Sequence, residues 1–164
     1  MATNQNFTEK ARQAIVAGQQ LTEQHTLAQY EPEALLVSLI DQPDGIVPQI
    51  LQRLGLDPAM VLGEARGLVE RAPKLQYSAE AVVSPALRRA LQAAEREAQQ
   101  FGDEYLSTEH LLLGILDGER TQAASLLKRH GVDRDRVLGA LTEIRGSQRV
   151  TSEDPESTYQ SLEK

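Results

Sequence analysis

Apolar residues recur at helical spacing along most of the chain, and in two places the stripe widens until the helix is apolar nearly all round. One is Ser107-Thr108-Glu109-His110-Leu111-Leu112-Leu113-Gly114-Ile115-Leu116, which reads as a helix start followed by a buried helix. The other is Pro32 to about Ile40. The two are copies. A shift of 76 positions places Glu109, Leu111, Leu112, Ile115, Leu116 and Asp117 on Glu33, Leu35, Leu36, Leu39, Ile40 and Asp41. The register holds without a gap on both sides. Arg12, Ala14 and Ala17 match Arg88, Ala90 and Ala93, while Leu51, Arg53, Gly55 and Asp57 match Leu127, Arg129, Gly131 and Asp133. A period this long marks a repeated folding unit, so the chain is a tandem duplication.

Each copy predicts four helices. Thr8 is placed to cap the first, which carries Ala11, Ala14, Ile15, Gly18 and Leu21 and runs to about His25. Pro32 opens the second, and Glu33 in its first turn favours the positive end of the helix dipole. The third passes through Val47, Ile50 and Leu51 to Leu54, where Gly55 can end it in a left-handed conformation. Asp57-Pro58 restarts the chain for a fourth helix with Val61, Leu62, Ala65 and Leu68 inward. Ser84-Pro85 begins the fifth, which reaches about Gln100 before Gly102-Asp103 breaks it. Ser107 to Leu116 is the sixth and Thr121 to His130 the seventh. The eighth carries Val137, Leu138, Leu141 and Ile144. Val82-Val83 is too short to read as a strand, so the predicted fold is all-α. The expected organisation is one domain over residues 1–145, with repeats at about 8–70 and 84–145 joined by 71–83. Residues 146–164 are polar, without apolar period, and read as a flexible linker.

One copy of about 60 residues would be marginal alone, whereas the whole chain buries roughly two-thirds of its unfolded surface, so the copies are expected to share a core. The formal net charge of −7 argues against a nucleic-acid partner, which calls for clustered Lys and Arg. The chain has no cysteine, no secretory signal pattern at Met1–Asn6 and no apolar run of membrane-spanning length. These features lead to the expectation of a soluble cytoplasmic protein without membrane contact.

The chemistry points away from catalysis. No Gly-Lys pair occurs, which leaves no phosphate loop, and neither His-Glu-x-x-His nor Cys is present to build a common zinc site. His25, His110 and His130 occupy unrelated helix positions and read as helix-end or packing residues. Ser84 and Ser107 read as caps, with no obvious base and orienting partner for either. The pairs Asp103-Glu104 and Asp133/Asp135 fall in caps and loops, where charge is ordinarily solvated. Asp103 and Glu109 nonetheless stand six residues apart at the entry to the sixth helix, and only Glu109 has a twin. Dipole support alone accounts for Glu109, at about 0.3–1 kcal/mol. A functional reading makes Asp103 a polar contact beside an exposed groove.

The segments Phe7-Thr8-Glu9-Lys10-Ala11, Glu31-Pro32-Glu33-Ala34-Leu35-Leu36, Gly55-Leu56-Asp57-Pro58 and Ser107-Thr108-Glu109-His110-Leu111-Leu112 resemble the double Clp N-terminal repeat of AAA+ protein-remodelling machines. Ala72-Pro73-Lys74, Gln148-Arg149-Val150-Thr151 and Tyr159-Gln160-Ser161-Leu162-Glu163-Lys164 are similar to the ClpB-type disaggregase branch, the last two to the segment leading into its first ATPase domain. The resemblance implies an eight-helix domain of two four-helix repeats about a pseudo-two-fold axis. It implies a module that engages unfolded or aggregated polypeptide and helps deliver it to the ring of its own, homohexameric parent. ATP and magnesium would then belong only to the parent's ATPase domains, with no cofactor in this chain. Matching motifs carry the family's function-linked positions onto Thr8, Asp103 and Glu109, and the implied substrate groove involves Ala93, Glu97 and His110. A free-standing adaptor or regulator of a Clp protease is the alternative.

Overall fold

The computed structural model describes residues 6–77 and 79–146, so the expected linker lies, beyond Gly146, outside the described residues. The elements run β1 (Asn6–Phe7), α1 (Glu9–Gln24), β2 (Gln29–Tyr30), α2 (Pro32–Asp41), α3 (Ile46–Arg53) and α4 (Pro58–Glu70). The second copy follows as β3 (Val82–Val83), α5 (Pro85–Phe101), β4 (Tyr105–Leu106), α6 (Thr108–Leu116), α7 (Gln122–Arg129) and α8 (Arg134–Arg145). The 76-residue shift maps α3 onto α7 residue for residue and the other pairs to within a residue at their C-terminal ends. The all-α reading holds.

The helix starts are chemically determined. Thr8 Oγ1 accepts from the Ala11 amide at 3.2 Å and its twin Ser84 Oγ from Leu87 at 3.0 Å. Asp57 and Asp133 accept from Ala59 and Arg136 at the heads of α4 and α8. Each such cap satisfies a first-turn amide that otherwise lacks a partner and contributes about 1 kcal/mol. Gly55 and Gly131 close α3 and α7 at φ of 81° and 79°, a region where a Cβ is strained.

All nine residues of α6 are buried, as is every residue of α2 except Glu33 and Asp41. These two helices form the centre. Around them α1 buries Ala11, Ala14, Gly18 and Thr22, leaving Ile15 and Leu21 only half-covered. In α4 the inward stripe is Val61, Ala65 and Val69, with Leu62 and Leu68 at the boundary, a rotation of the expected face by about one residue.

The absence of strands is the expectation that fails. Among the described residues four two-residue strands pair as parallel ladders, β1 with β4 and β2 with β3. Segments of two residues have no period to read, and the pairing is non-local. The registers Asn6↔Tyr105 and Gln29↔Val82 are the same pairing seen from each copy, since the 76-residue shift carries Asn6 onto Val82 and Gln29 onto Tyr105. The ladders continue into the caps, where the Thr8 amide donates to Leu106 O at 2.9 Å and the Ser84 amide to Tyr30 O at 3.0 Å.

The helices make the same exchange. Core helix α2 packs on α7 and core helix α6 on α3, each reaching into the other repeat. Glu33 Oε2 accepts from the Ala123 amide at 2.9 Å, which caps α7 from the opposite copy. Arg53 of α3 pairs with Glu143 of α8 at 2.9 Å, and its twin Arg129 of α7 with Glu64 of α4 at 3.8 Å. His130 Nε2 also meets Glu64, at 2.7 Å.

Where α1 crosses α2, the Ser38 hydroxyl donates to Ala14 O at 2.7 Å. At the equivalent crossing of α5 and α6 the twin of Ser38 is Gly114, and a Cβ there would stand 2.2 Å from Ala90 O. Overpacking against backbone costs about 1–3 kcal/mol, so Gly114→Ala should lower the melting temperature. Gly63, in α4 with nothing within 4 Å of a built Cβ, is the control. Gly63→Ala should raise stability by about 0.5–1 kcal/mol. Equal shifts of the same sign in thermal melts would show that the helix crossing does not constrain Gly114.

Burial, the largest influence on Glu33, pushes its carboxyl above the ordinary carboxylate range, with the Ala123 amide opposing and Glu31 adding to the rise. The folded state therefore holds this proton more tightly than the unfolded state. Stability from this group is lost as pH rises from the ordinary carboxylate pKa through the raised one. Glu33→Gln keeps an acceptor for Ala123 and removes that slope. The difference in unfolding free energy, variant minus parent, should grow between about pH 4 and pH 7 in urea titrations. A constant difference would contradict it.

Candidate functional site

The loop between α5 and α6 gathers the buried charged residues Asp103, Glu109 and Arg145, with His110, into one place. Gly102 ends α5 at φ 72°, and the Asp103 amide reaches back to Ala98 O at 3.0 Å, which turns the Asp103 side chain inward. Ser107 then starts α6 through a capping box in which His110 at the third helical position reaches back to the Ser107 amide. These two local structures bring Asp103 and His110 together, and His110 Nε2 lies 2.8 Å from Asp103 Oδ2. From the end of α8, Arg145 Nη2 donates to Asp103 Oδ1 at 2.7 Å and Nη1 stands 3.4 Å from Glu109 Oε2. Phe101 closes the cluster, edge-on to the His110 ring and beneath the Arg145 guanidinium, each at 5.3 Å.

The hydrogen bonds fix the histidine tautomer. A backbone amide can only donate, so the 2.8 Å contact from Ser107 N makes His110 Nδ1 an acceptor and leaves the ring proton on Nε2, donated to Asp103. Ser107 Oγ also lies 3.1 Å from Nδ1. Serine, imidazole and aspartate are thus aligned as in a nucleophilic triad, a base and an orienting partner that the sequence did not reveal for Ser107. The arrangement cannot act as one. The single lone pair of Nδ1 is engaged by the amide, so it cannot take the serine proton, and both Ser107 and His110 are wholly buried. Its chemistry is to hold the α5–α6 turn to the end of α8.

Of the residues expected at a substrate surface, all but the partly buried Glu97 are inside. Thr8, Glu109 and His110 have 0% exposure, Ala93 3% and Asp103 9%. The expectation of a solvated Asp103 is therefore corrected, and Ala93 and His110 present no exposed side chain. Asp103, Glu109 and His110 meet in one cluster, Thr8 serves the cap of α1 beside β4, and Ala93 lies within α5. Glu97, expected at the same groove, is locked by Arg134, whose Nε and Nη2 each reach it at 2.8 Å. That carboxylate also holds the Arg134 guanidinium more firmly in its charged form. Among the described residues no group of three His, Asp or Glu side chains is placed to hold a metal ion.

Arg145 is the member of the cluster that has no local signal in the sequence, although the duplication carries one. The twins of Asp103, His110 and Arg145 are Leu27, Ala34 and Val69, all buried and apolar. Three apolar positions become polar together in the second copy, as contacting residues must. Asp103→Ala would leave Arg145 and His110 buried with a lost partner, at a cost of about 3–5 kcal/mol. The fourfold change Asp103→Leu, Glu109→Gln, His110→Ala, Arg145→Val installs the first copy's apolar residues without leaving the Glu109 carboxylate buried beside no cation, and should recover most of that loss in urea unfolding. A fourfold variant no more stable than Asp103→Ala would show that apolar packing cannot replace the cluster.

Open grooves lie on the surface around this framework. One is lined by Ala86, Arg89, Ala90 and Gly114 with the α6–α7 turn, and a second by Glu31, Glu33, Arg71 and Pro73. A third runs along α1 and α2 from Gln13 to Gln24.

Comparison with known proteins identifies the framework. The Clp repeat (R) N-terminal domain family matches residues 6–130. The chain is 40% identical to the chaperone protein ClpB of Bdellovibrio bacteriovorus over 159 residues, covering 96% of this chain and 19% of that protein. It is likewise 40% identical to ClpB of Corynebacterium efficiens over 163 residues, with 97% and 19% coverage. The chain thus spans about a fifth of the length of these curated relatives. Among solved structures, the Hsp104 N-terminal domain of Candida albicans superposes with a TM-score of 0.82 at 22% identity, over 93% of this chain and 99% of that one. A ClpV N-domain in complex with a VipB peptide superposes at 0.70 with 20% identity, over 89% and 91%. With the duplicated four-helix unit, the exchanged strands and this match over most of its length, the chain belongs to the Clp repeat (R) N-terminal domain family.

Proposed function

We propose that the chain is the client-engaging module of a ClpB-like disaggregase, binding unfolded or aggregated polypeptide and helping pass it to the ATP-driven ring of its parent. In this reading the parent is a cytoplasmic homohexamer, and ATP and magnesium are bound by its ATPase domains. The observation that carries the reading is the similarity to the ClpB chaperones along 96% of the chain, in a sequence that itself has no phosphate loop. A domain of the same fold, from ClpV, is described with a bound peptide, which supports polypeptide as the ligand class. Open grooves flanked by exposed side chains suit an extended chain better than a small molecule, which favours an enclosed, largely apolar cavity. Thr8, Asp103, Glu109, Ala93 and His110 act as positioning residues: being buried, they influence client through the helices they fix.

Binding has to overcome the entropy of ordering an extended client, so weak and sequence-tolerant association is expected. Titration of the 164-residue chain with a permanently unfolded client should shift NMR signals at groove residues at client concentrations of about a millimolar or below. A folded protein of similar size should leave them unmoved, and magnesium-ATP should change nothing. Silence at millimolar unfolded client would overturn the reading in favour of an adaptor that docks on a folded partner.

A further inference from the structure

We infer that the groove along α1 is a docking site for the backbone of an extended, uncharged polypeptide segment, read by three glutamine amides. The inference rests on the client-binding reading and names the place and chemistry of contact. The groove has a volume of about 380 Å³ and is lined by Gln13, Ala17, Gln20, Leu21 and Gln24 of α1, opposite α2 and the α2–α3 turn. Residues 13, 17, 20 and 24 follow helical spacing and form one stripe. Gln13, Gln20 and Gln24 are exposed, and among the described residues none of their side chains makes a hydrogen bond. In a chain that is 25% charged, only two of the described residues lining the groove are charged, Asp41 and Arg66, which pair with each other at 3.3 Å. The lining is thus electrically neutral and rich in amides. Each amide offers one acceptor and two donors, the complement of a peptide group, and no charge selects the client's side chains.

The dimensions agree. From Gln13 to Gln24 the helix rises about 16 Å at 1.5 Å per residue. That is the length of about five extended residues at 3.3 Å each. The rim is held independently of any ligand, since Gln42 Nε2 donates to Lys10 O at 2.8 Å and Ser38 donates to Ala14 O.

The second copy shows that the fold itself does not require these amides. The twins of Gln13, Gln20 and Gln24 are Arg89, Arg96 and Gln100. There Arg96 pairs with Asp117 at 3.5 Å, and Gln100 Oε1 accepts from Arg134 at 3.2 Å. One backbone geometry therefore carries a stripe partly tied up in ion pairs in one copy and a neutral stripe of unengaged amides in the other.

The test uses the full chain and a synthetic uncharged peptide of ten residues, alternating valine and threonine, with a matching depsipeptide whose central amides are esters and so lack N–H donors. The parent chain should bind the peptide with shifts in the side-chain NH₂ signals of Gln13, Gln20 and Gln24. Binding should be unaffected by raising sodium chloride from about 50 to 500 mM, since no charge is involved. Replacing all three glutamines by alanine, which preserves an exposed helix, should weaken binding about tenfold or more. The depsipeptide should weaken by a similar factor, and that comparison needs no variant to fold. Equal binding by the triple variant would overturn the groove while leaving the client reading intact. Equal binding of the depsipeptide, or a steep loss with salt, would show that client side chains are read rather than backbone. Failure of the parent chain to bind either this peptide or a larger unfolded client would remove both the groove and the reading it rests on.

Discussion

Two helices that have almost no polar face, α2 and α6, set the terms for everything else in this molecule. An amphipathic helix can lie on a core with its outer side in water, but these two must be covered on every side. The other helices of one repeat leave part of that surface bare, and the remaining cover comes from the opposite copy through α7 over α2 and α3 over α6. The same dependence appears at the level of single hydrogen bonds. Each copy's first strand finds its ladder partner only in the other, and Glu33 satisfies an amide of α7 rather than one of its own helix. Each copy's buried surface and ladder are therefore completed by the other.

Given that shared frame, the two copies have been free to differ wherever the backbone tolerates more than one solution. At the turn beneath the core helix, one copy is closed by Leu27, Ala34 and Val69 and the other by Asp103, His110 and Arg145. Apolar closure needs no directional partner. The polar version ties the turn, the start of α6 and the end of α8 into a single geometry, because every member depends on the others to offset its own desolvation. Whether such a network stabilises in net terms is secondary to what it specifies, a fixed orientation of α8 relative to α5. The outward faces have diverged as well, with Gln13 and Gln20 in one groove where Arg89 and Arg96 stand in the other.

Most of the architecture was legible from periodicity and caps. Thr8, Asp57, Ser84 and Asp133 announced helix starts, Gly55 and Gly131 announced stops, and the breadth of the apolar runs at Leu35–Ile40 and Leu111–Leu116 marked the central pair. What was not legible depends on contacts distant in sequence. Val82-Val83 carries no strand signal because its partner, Gln29-Tyr30, lies in the other copy. Asp103 looks like a solvated loop residue because nothing in its neighbourhood shows that Arg145 arrives from 42 positions away. The helix faces of α1 and α4 drifted by about a residue, since spacing alone cannot say which flank of a stripe the neighbouring helix will cover. The missing information was present in a different form, as the coordinated apolar-to-polar changes between aligned copies.

The exchange of strands and caps between repeats also sets a clock on biosynthesis. A chain emerging from its N-terminus presents β2 and α2 well before their partners exist: Val83 follows Tyr30 by 53 residues, and Ala123 follows Glu33 by 90. At about 5–20 residues per second the wait for α7 is on the order of 5–20 seconds. Throughout it the most apolar helix of the first repeat has no complete cover, which no acceleration of its own local folding can supply. Late long-range closure of this kind is slow by topology and exposed to misassociation between neighbouring nascent chains, where one copy can borrow its missing half from another molecule.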